Sequence, residues 1–345
     1  MALSTRAKTM AGILAVVVLA GAAFVGYRLL TKAPDEPLIQ NPFTAEPVVC
    51  PLTGEETERE KPAARRALAV KIENISEARP QAGLAEADVV YEQEAEGGIT
   101  RFIAVYQCSD APRLGPVRSA RPVDAPVIQQ LGDPLFVHAG SVQAVVNAIA
   151  RAGLEDINCN QNPEPCPRDP ARSAPHDVFT STRTLYRAGG GGDPPEPLFT
   201  YDEDLERRGS RRGRELHLDF SPAADVLWRY ERAGNRYLRF HGETPHTVES
   251  GDQVAATNVV VQLVDRTSTR ITDAAGNTVP NYDVIGRGEA IVFRNGRAIV
   301  GTWHRGSPDE ITTFLNRRGE EIALAPGTTW VELFPTDAPA PPEFS

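Results

Sequence analysis

Glycine and proline interrupt this chain too often for long helices, with 28 glycines and 29 prolines among 345 residues. A proline removes a backbone donor and a mid-helix glycine costs about 1 kcal/mol relative to alanine, so the regular elements must be short. From Ala67 onward the hydrophobic residues come in short runs of that kind. Residues 67–72, 87–92 and 99–107 read as strands, the second and third joined by a hairpin-type connection through Glu94-Ala95-Glu96-Gly97-Gly98. Residues 123–131 read as a helix, 134–138 as a short buried strand, and 141–152 as a helix with Ser141 as its N-cap. Strands interleaved with helices make an α/β layered domain over 63–195, with loops expected at 155–175 and 187–197. After a connection at 196–213, short alternating segments recur across 214–337. They include residues 321–324, and Asn295-Gly296 is a strong type I′ hairpin signal between two of them. The predicted class is therefore α+β, an α/β domain followed by a mostly antiparallel β domain, a sandwich or small barrel, and a tail at 338–345. Trp303 and Trp330 sit in strand patterns and read as core, with an exposed platform for glycan as the alternative.

Location is written at the other end of the chain. Arg6 and Lys8 precede an uncharged apolar run from Thr9 to Tyr27, and Arg28 and Lys32 follow it. Roughly twenty apolar residues span a bilayer core. Residues 1–32 therefore read as a single-pass membrane anchor; the alternative is a cleaved secretory signal with small residues at Ala20-Gly21-Ala22. The short chain ahead of the run favours a cytoplasmic N-terminus. Either reading exports the bulk of the chain, and residues 33–62, rich in Pro, Glu and Thr, read as a stalk. The net charge of −10 becomes −14 once the four positive residues of positions 1–32 are set aside, which argues against nucleic acid as a partner. Four cysteines in an exported chain suggest two disulfides. Cys159 and Cys166 share a loop, which leaves Cys50 to pair with Cys108. The spacing of zinc ligands is absent, and no motif calls for a cofactor.

Against that acidic background the stretch from Arg79 to Arg121 stands out. It holds Arg79-Pro80, then Glu96-Gly97-Gly98 leading to Arg101, then Gly115-Pro116-Val117-Arg118-Ser119-Ala120-Arg121. Four guanidinium forks beside glycine turns fit a phosphate or carboxylate, with His138 and His176 as further candidates in the same pocket. The competing expectation is internal pairing with Glu73, Asp88, Glu92, Glu94 and Glu96. Glu96 and His138 are the candidate acid and base of an enzyme. Ser119 and Ser141 lack the Gly-x-Ser-x-Gly setting of a hydrolase nucleophile. No His and carboxylate pair has metal-ligand spacing; a hard cation on Asp88, Asp124, Glu92 and Glu96 beside a bound phosphate is the remaining alternative.

The order of these motifs, continued by His138-Ala139-Gly140 and Pro175-His176, resembles the YerB family of bacterial envelope proteins, whose domains carry the label DUF3048. The resemblance extends over residues 65–335 and includes Ala256-Thr257-Asn258, Gly286-Arg287-Gly288 and Gly301-Thr302-Trp303. It implies an envelope location and a two-domain body, with no established reaction. Family members are often lipoproteins, whereas no lipobox cysteine follows the apolar run here, which favours a protein anchor. The expected function is thus binding of an anionic, phosphorylated or wall-derived ligand. A glycan- or lipid-modifying enzyme, or a scaffold binding an envelope protein partner through an exposed apolar patch, is the alternative.

Overall fold

A computed structural model describes residues 48–345, apart from 59, 205–208, 268 and 274–275. The expected anchor and the first half of the expected stalk lie outside the described residues, whereas from Val48 onward the expected stalk is folded, with Leu52 and Thr53 buried and Cys50 bonded to Cys108. Among the described residues, no helix is long and apolar enough to cross a membrane. The chain forms β1 (Leu68–Glu73), β2 (Val89–Glu94), β3 (Thr100–Tyr106), α1 (Asp124–Gln129), β4 (Leu135–His138), α2 (Gln143–Arg151), β5 (Glu155–Asn158) and α3 (Thr182–Gly189). It continues with β6 (Glu215–Ser221), β7 (Ala224–Glu231), β8 (Arg236–His241), β9 (Asn258–Val264), β10 (Gly286–Arg294), β11 (Arg297–Arg305), β12 (Thr313–Asn316), β13 (Thr329–Pro335) and β14 (Glu343–Phe344).

Two sheets carry the architecture. The larger runs β12-β11-β10-β9-β13-β2-β3-β1-β4-β5, with Arg211–Arg212 paired to β11. The smaller runs β8-β7-β6-β14, with two short strands added to β8. Both sequence regions contribute to the larger sheet, because β13 lies parallel to β2 on one side and to β9 on the other. The described residues from 48 to 345 accordingly cluster as one compact unit.

Most of the expected elements form, and the class is α+β. The Asn295-Gly296 hairpin joins β10 to β11 with positive φ at both residues, 53° and 69°. Three expectations change. Residues 155–158, expected as loop, form the edge strand β5, where two exposed acidic side chains hide the strand pattern. Ser141 does not cap α2: Val142 holds the cap position, and the Ser141 hydroxyl donates to the Ala120 carbonyl at 2.9 Å. Residues 321–324 make only isolated bridges. The β-rich half is antiparallel through β6–β8 and β10–β12, but β13 is buried along its whole length in the middle of a parallel ladder.

The core lies on both faces of the larger sheet. Between the sheets, Trp330 packs edge-on against Trp228 at 5.2 Å and Phe102 at 5.3 Å, and Phe220 meets Phe334 at 4.9 Å. Truncating a tryptophan in such a position costs about 3–5 kcal/mol. On the opposite face Val127 and Ile128 of α1 and Val145 and Ile149 of α2 cover Phe136 and Val105. Trp303 and Trp330 are both core residues, which removes the exposed-platform reading. Cys50 pairs with Cys108 and Cys159 with Cys166, as expected.

Candidate functional site

Strand direction brings the sequence motifs together. β1, β2, β4, β5, β9 and β13 all run the same way, so their carboxyl ends and the start of β3 share one edge of the sheet. Crevices at such edges are where open α/β sheets bind ligands. The loops there are pinned to one another. Segment 114–120 hydrogen-bonds to Ala82 and Lys71 on one side and to Val178 and Thr180 on the other, while the Ala139 N–H donates to the Arg118 carbonyl. Arg79-Pro80, Gly115-Pro116 and Ala174-Pro175 are cis peptides, one ahead of each of Gln81, Arg118 and His176.

The arginines converge on carboxylates. Glu73, at the end of β1 and 1% exposed, faces Arg101 across the ladder with Nε at 3.3 Å, pairs with Arg118, and lies 3.4 Å from Nδ1 of His176. Glu96 pairs with Arg121, and Arg101 Nη1 stands 3.6 Å from it. Burial, reinforced by the positive charge of Arg121, lowers the pKa of Arg101. Nη1 of Arg101 is buried and donates no hydrogen bond within the protein. Arg118 and His176 form the open side of the cluster, their side chains 24% and 18% exposed.

Beneath this cluster Lys71 bonds Asp124 at 2.7 Å, and Asp124 also accepts from Gln93 and from the Arg121 N–H. Burial pulls the Lys71 pKa down to about 8 despite that partner. Asp124 is thereby committed to Lys71 rather than to a cation.

Other predicted residues separate from the cluster. Arg79 turns to Asn74, donating to its carbonyl at 2.7 Å and its side chain at 3.2 Å, and burial brings its pKa to about 10. Ser119 donates to the Ala139 carbonyl. Gly97 and Gly98 both take positive φ, and the Gly98 carbonyl is bonded by Ser221. His138 is fully buried with Nδ1 against the Gly140 carbonyl and Nε2 against Asp156, so both ring nitrogens are occupied. Glu96, its expected partner in acid–base work, is held by two arginines. Of the five acids expected to pair with the arginines, only Glu73 and Glu96 do so. Asp88 accepts the N–H groups of Gln107, Cys108 and Ser109, and Glu94 pairs with Arg266 at 2.6 Å.

Glu92 belongs to a second network, on the face between the sheets, that the sequence did not reveal. It accepts Arg239 Nη2 at 2.7 Å and the Thr100 hydroxyl at 2.6 Å. In register beside Glu92 on β13 lies Glu332, which accepts the Trp228 indole N–H at 2.7 Å through one oxygen, while its other, buried oxygen makes no hydrogen bond within the protein. Burial, and then the negative charge of Glu92, raise the Glu332 pKa well above the usual carboxylate value. Arg239 can only donate, so His246 Nδ1 accepts from it at 2.9 Å and His246 Nε2 carries the hydrogen given to Gln81 at 3.0 Å. Burial and the adjacent Arg239 hold His246 neutral. Gln81 then donates to the Glu73 carbonyl and the Asn74 side chain, linking the two networks. Among the described residues no group of three His, Cys, Asp or Glu side chains is placed to hold a metal ion.

Comparison with known proteins adds the following. Residues 52–193 match the family described as "Protein of unknown function (DUF3048) N-terminal domain", and residues 216–331 its C-terminal counterpart. A Bacillus subtilis (strain 168) protein named "Putative lipoprotein YerB" is 27% identical over 302 residues, 85% of this chain and 88% of its own length. The crystal structure of YerB from Bacillus subtilis matches with a TM-score of 0.71 at 26% identity, covering 83% of this chain and 96% of that one.

Proposed function

Because the chain belongs to the YerB-like family and carries both of its DUF3048 domains, we propose that it is a membrane-associated envelope protein whose sheet-edge arginine cluster binds an anion outside the cytoplasm. Two disulfides fit an oxidising compartment, and a lipoprotein relative fits attachment to a membrane. In this chain the apolar run from Thr9 to Tyr27 takes the place of a lipid and anchors it by a single pass.

The observation that carries the binding site is a mismatch of partners. Arg101, Arg118 and Arg121 face two carboxylates, Glu73 and Glu96, and the buried Nη1 of Arg101 is left without a hydrogen bond. A buried donor left unpaired costs about 1–3 kcal/mol, and a phosphate or carboxylate entering beside Arg118 and His176 would remove both the surplus charge and that cost. Arg118 and His176 are the ligand-facing groups and Glu73 holds them in place, while Glu96 and Arg121 flank Arg101 behind them. The enzyme alternative has lost its acid–base pair to structural contacts. The scaffold alternative expected an apolar patch, and among the described residues Val49 is the one large exposed hydrophobic.

Calorimetric titration of the full-length protein in detergent with inorganic phosphate, a polyprenyl phosphate and a muropeptide tests the proposal. Binding by at least one, weakened about 10-fold in Arg118→Ala, is expected. No heat with any of them, or an affinity indifferent to Arg118→Ala, would leave the cluster as an internal brace.

A further inference from the structure

A second concentration of positive charge lies away from the sheet-edge site, where the hairpin turns at Asn235 and Asn295 meet through an Asn235 to Asn295 hydrogen bond of 3.2 Å. There Arg212, Arg214, Arg232 and Arg297 line a cavity of about 750 Å³ together with Tyr230, and Glu203 and Asp204 are the acidic residues on its wall. Arg211, Arg212, Arg214 and Arg232 are exposed, and none of them pairs with a carboxylate among the described residues. Arg297 alone is fixed, donating to the Ser210 hydroxyl at 2.7 Å and to its carbonyl at 2.8 Å. Arg212 and Arg297 stand directly opposite each other on adjacent antiparallel strands. Like charges in that arrangement oppose strand pairing.

We propose that this cavity binds a linear polyanion carrying repeated phosphate groups. Forked arginine donors at several points around one concavity suit successive phosphates, and a bound chain would neutralise the opposed Arg212 and Arg297. The hollow shape and the lack, among the described residues, of any large exposed hydrophobic beside it distinguish the surface from one built to lie on a bilayer. The site is independent of Arg118 and of the anion binding proposed at the sheet edge.

Full-length protein in detergent, titrated with inorganic polyphosphate, with a poly(glycerol phosphate) and with vesicles containing acidic lipid, tests this. The expected result is binding of at least one phosphate polymer that weakens steeply with salt. Arg212→Ala/Arg232→Ala should lose about 10-fold or more in affinity while Arg118→Ala binds as the wild type does. The polymer should also raise the melting temperature of the wild type and not of the double variant. Both substitutions are at exposed side chains, so the double variant is expected to fold. Absence of polymer binding, equal binding by the double variant, or patch-dependent binding to vesicles alone would overturn the proposal. Loss of polymer binding in Arg118→Ala would assign it to the other site instead.

Discussion

Replacing Glu332 by glutamine isolates the proton that the inter-sheet network holds. In the folded protein this carboxyl is buried, in register with Glu92 on the next strand, and raised well above its ordinary pKa. In the unfolded chain it ionises near pH 4.3. Between those two values the folded state keeps a proton that the unfolded state has released, so rising pH favours unfolding. The loss is about 1.4 kcal/mol for each pH unit in that interval, and stability from this group is complete below pH 4. Glutamine has the shape of the protonated acid: its carbonyl can accept the Trp228 indole N–H and its amide can donate to Glu92. Glu332→Gln should therefore match the wild type within about 1 kcal/mol near pH 4.5 and gain on it by about 1.4 kcal/mol per unit as the pH rises. Urea unfolding followed by tryptophan fluorescence at pH 5, 6 and 7 reads the difference, since Trp228 and Trp330 lie in the same core. A difference that stays flat with pH would refute the retained proton on Glu332. A glutamine variant that is much weaker at every pH would instead mean that Glu332 is ionised and needed as a partner of Arg239.

Three further outcomes follow from contacts already described. Loss of the Cys50–Cys108 bridge, which spans 58 positions, should cost about 4 kcal/mol and loss of the Cys159–Cys166 bridge, which spans 7, about 2.5 kcal/mol, measured by chemical unfolding of Cys→Ser pairs. Equal costs would refute loop closure as the main effect. Lys71 sheds its proton near pH 8 when folded and nearer 10.4 when unfolded, so wild-type stability should rise by about 2 kcal/mol between pH 8 and 10. The rise should be missing in Lys71→Met, and its persistence there would exclude Lys71 as the cause.

Much of the architecture could be read from local chemistry. Asn295-Gly296 announced its hairpin because few residue pairs adopt two positive φ values in succession. The cysteines gave their pairing through loop size and export. The arginine motifs marked one place, although the motifs alone left open what the guanidinium groups would meet. Their partner Glu73 sits within an ordinary strand pattern, and only the β1–β3 register sets it opposite Arg101. Parallel partners were beyond reach for a related reason: β13 meets β2 across more than two hundred residues, and alternation along one strand does not specify such a neighbour. Arg239, His246 and Glu332 likewise look like solvent-facing positions until a second sheet is laid over them. A side chain's period along its own strand cannot show which other element will cover it.

The placement of β13 also fixes the order in which the molecule can be finished. Every other strand of the larger sheet precedes it in the chain, yet it occupies a central position between β9 and β2. Until residues 329–335 have been delivered, the two flanks of that sheet have no ladder between them, and Trp330 is missing from the contact with Phe102 and Trp228. A chain emerging N-terminus first therefore passes through most of its length with its central seam open. Closure comes late and joins segments far apart in sequence, the kind of step that makes folding slow. If the bulk of the chain is exported as proposed, a fold that locks only after its last long strand arrives would keep the polypeptide loose until the crossing is nearly complete.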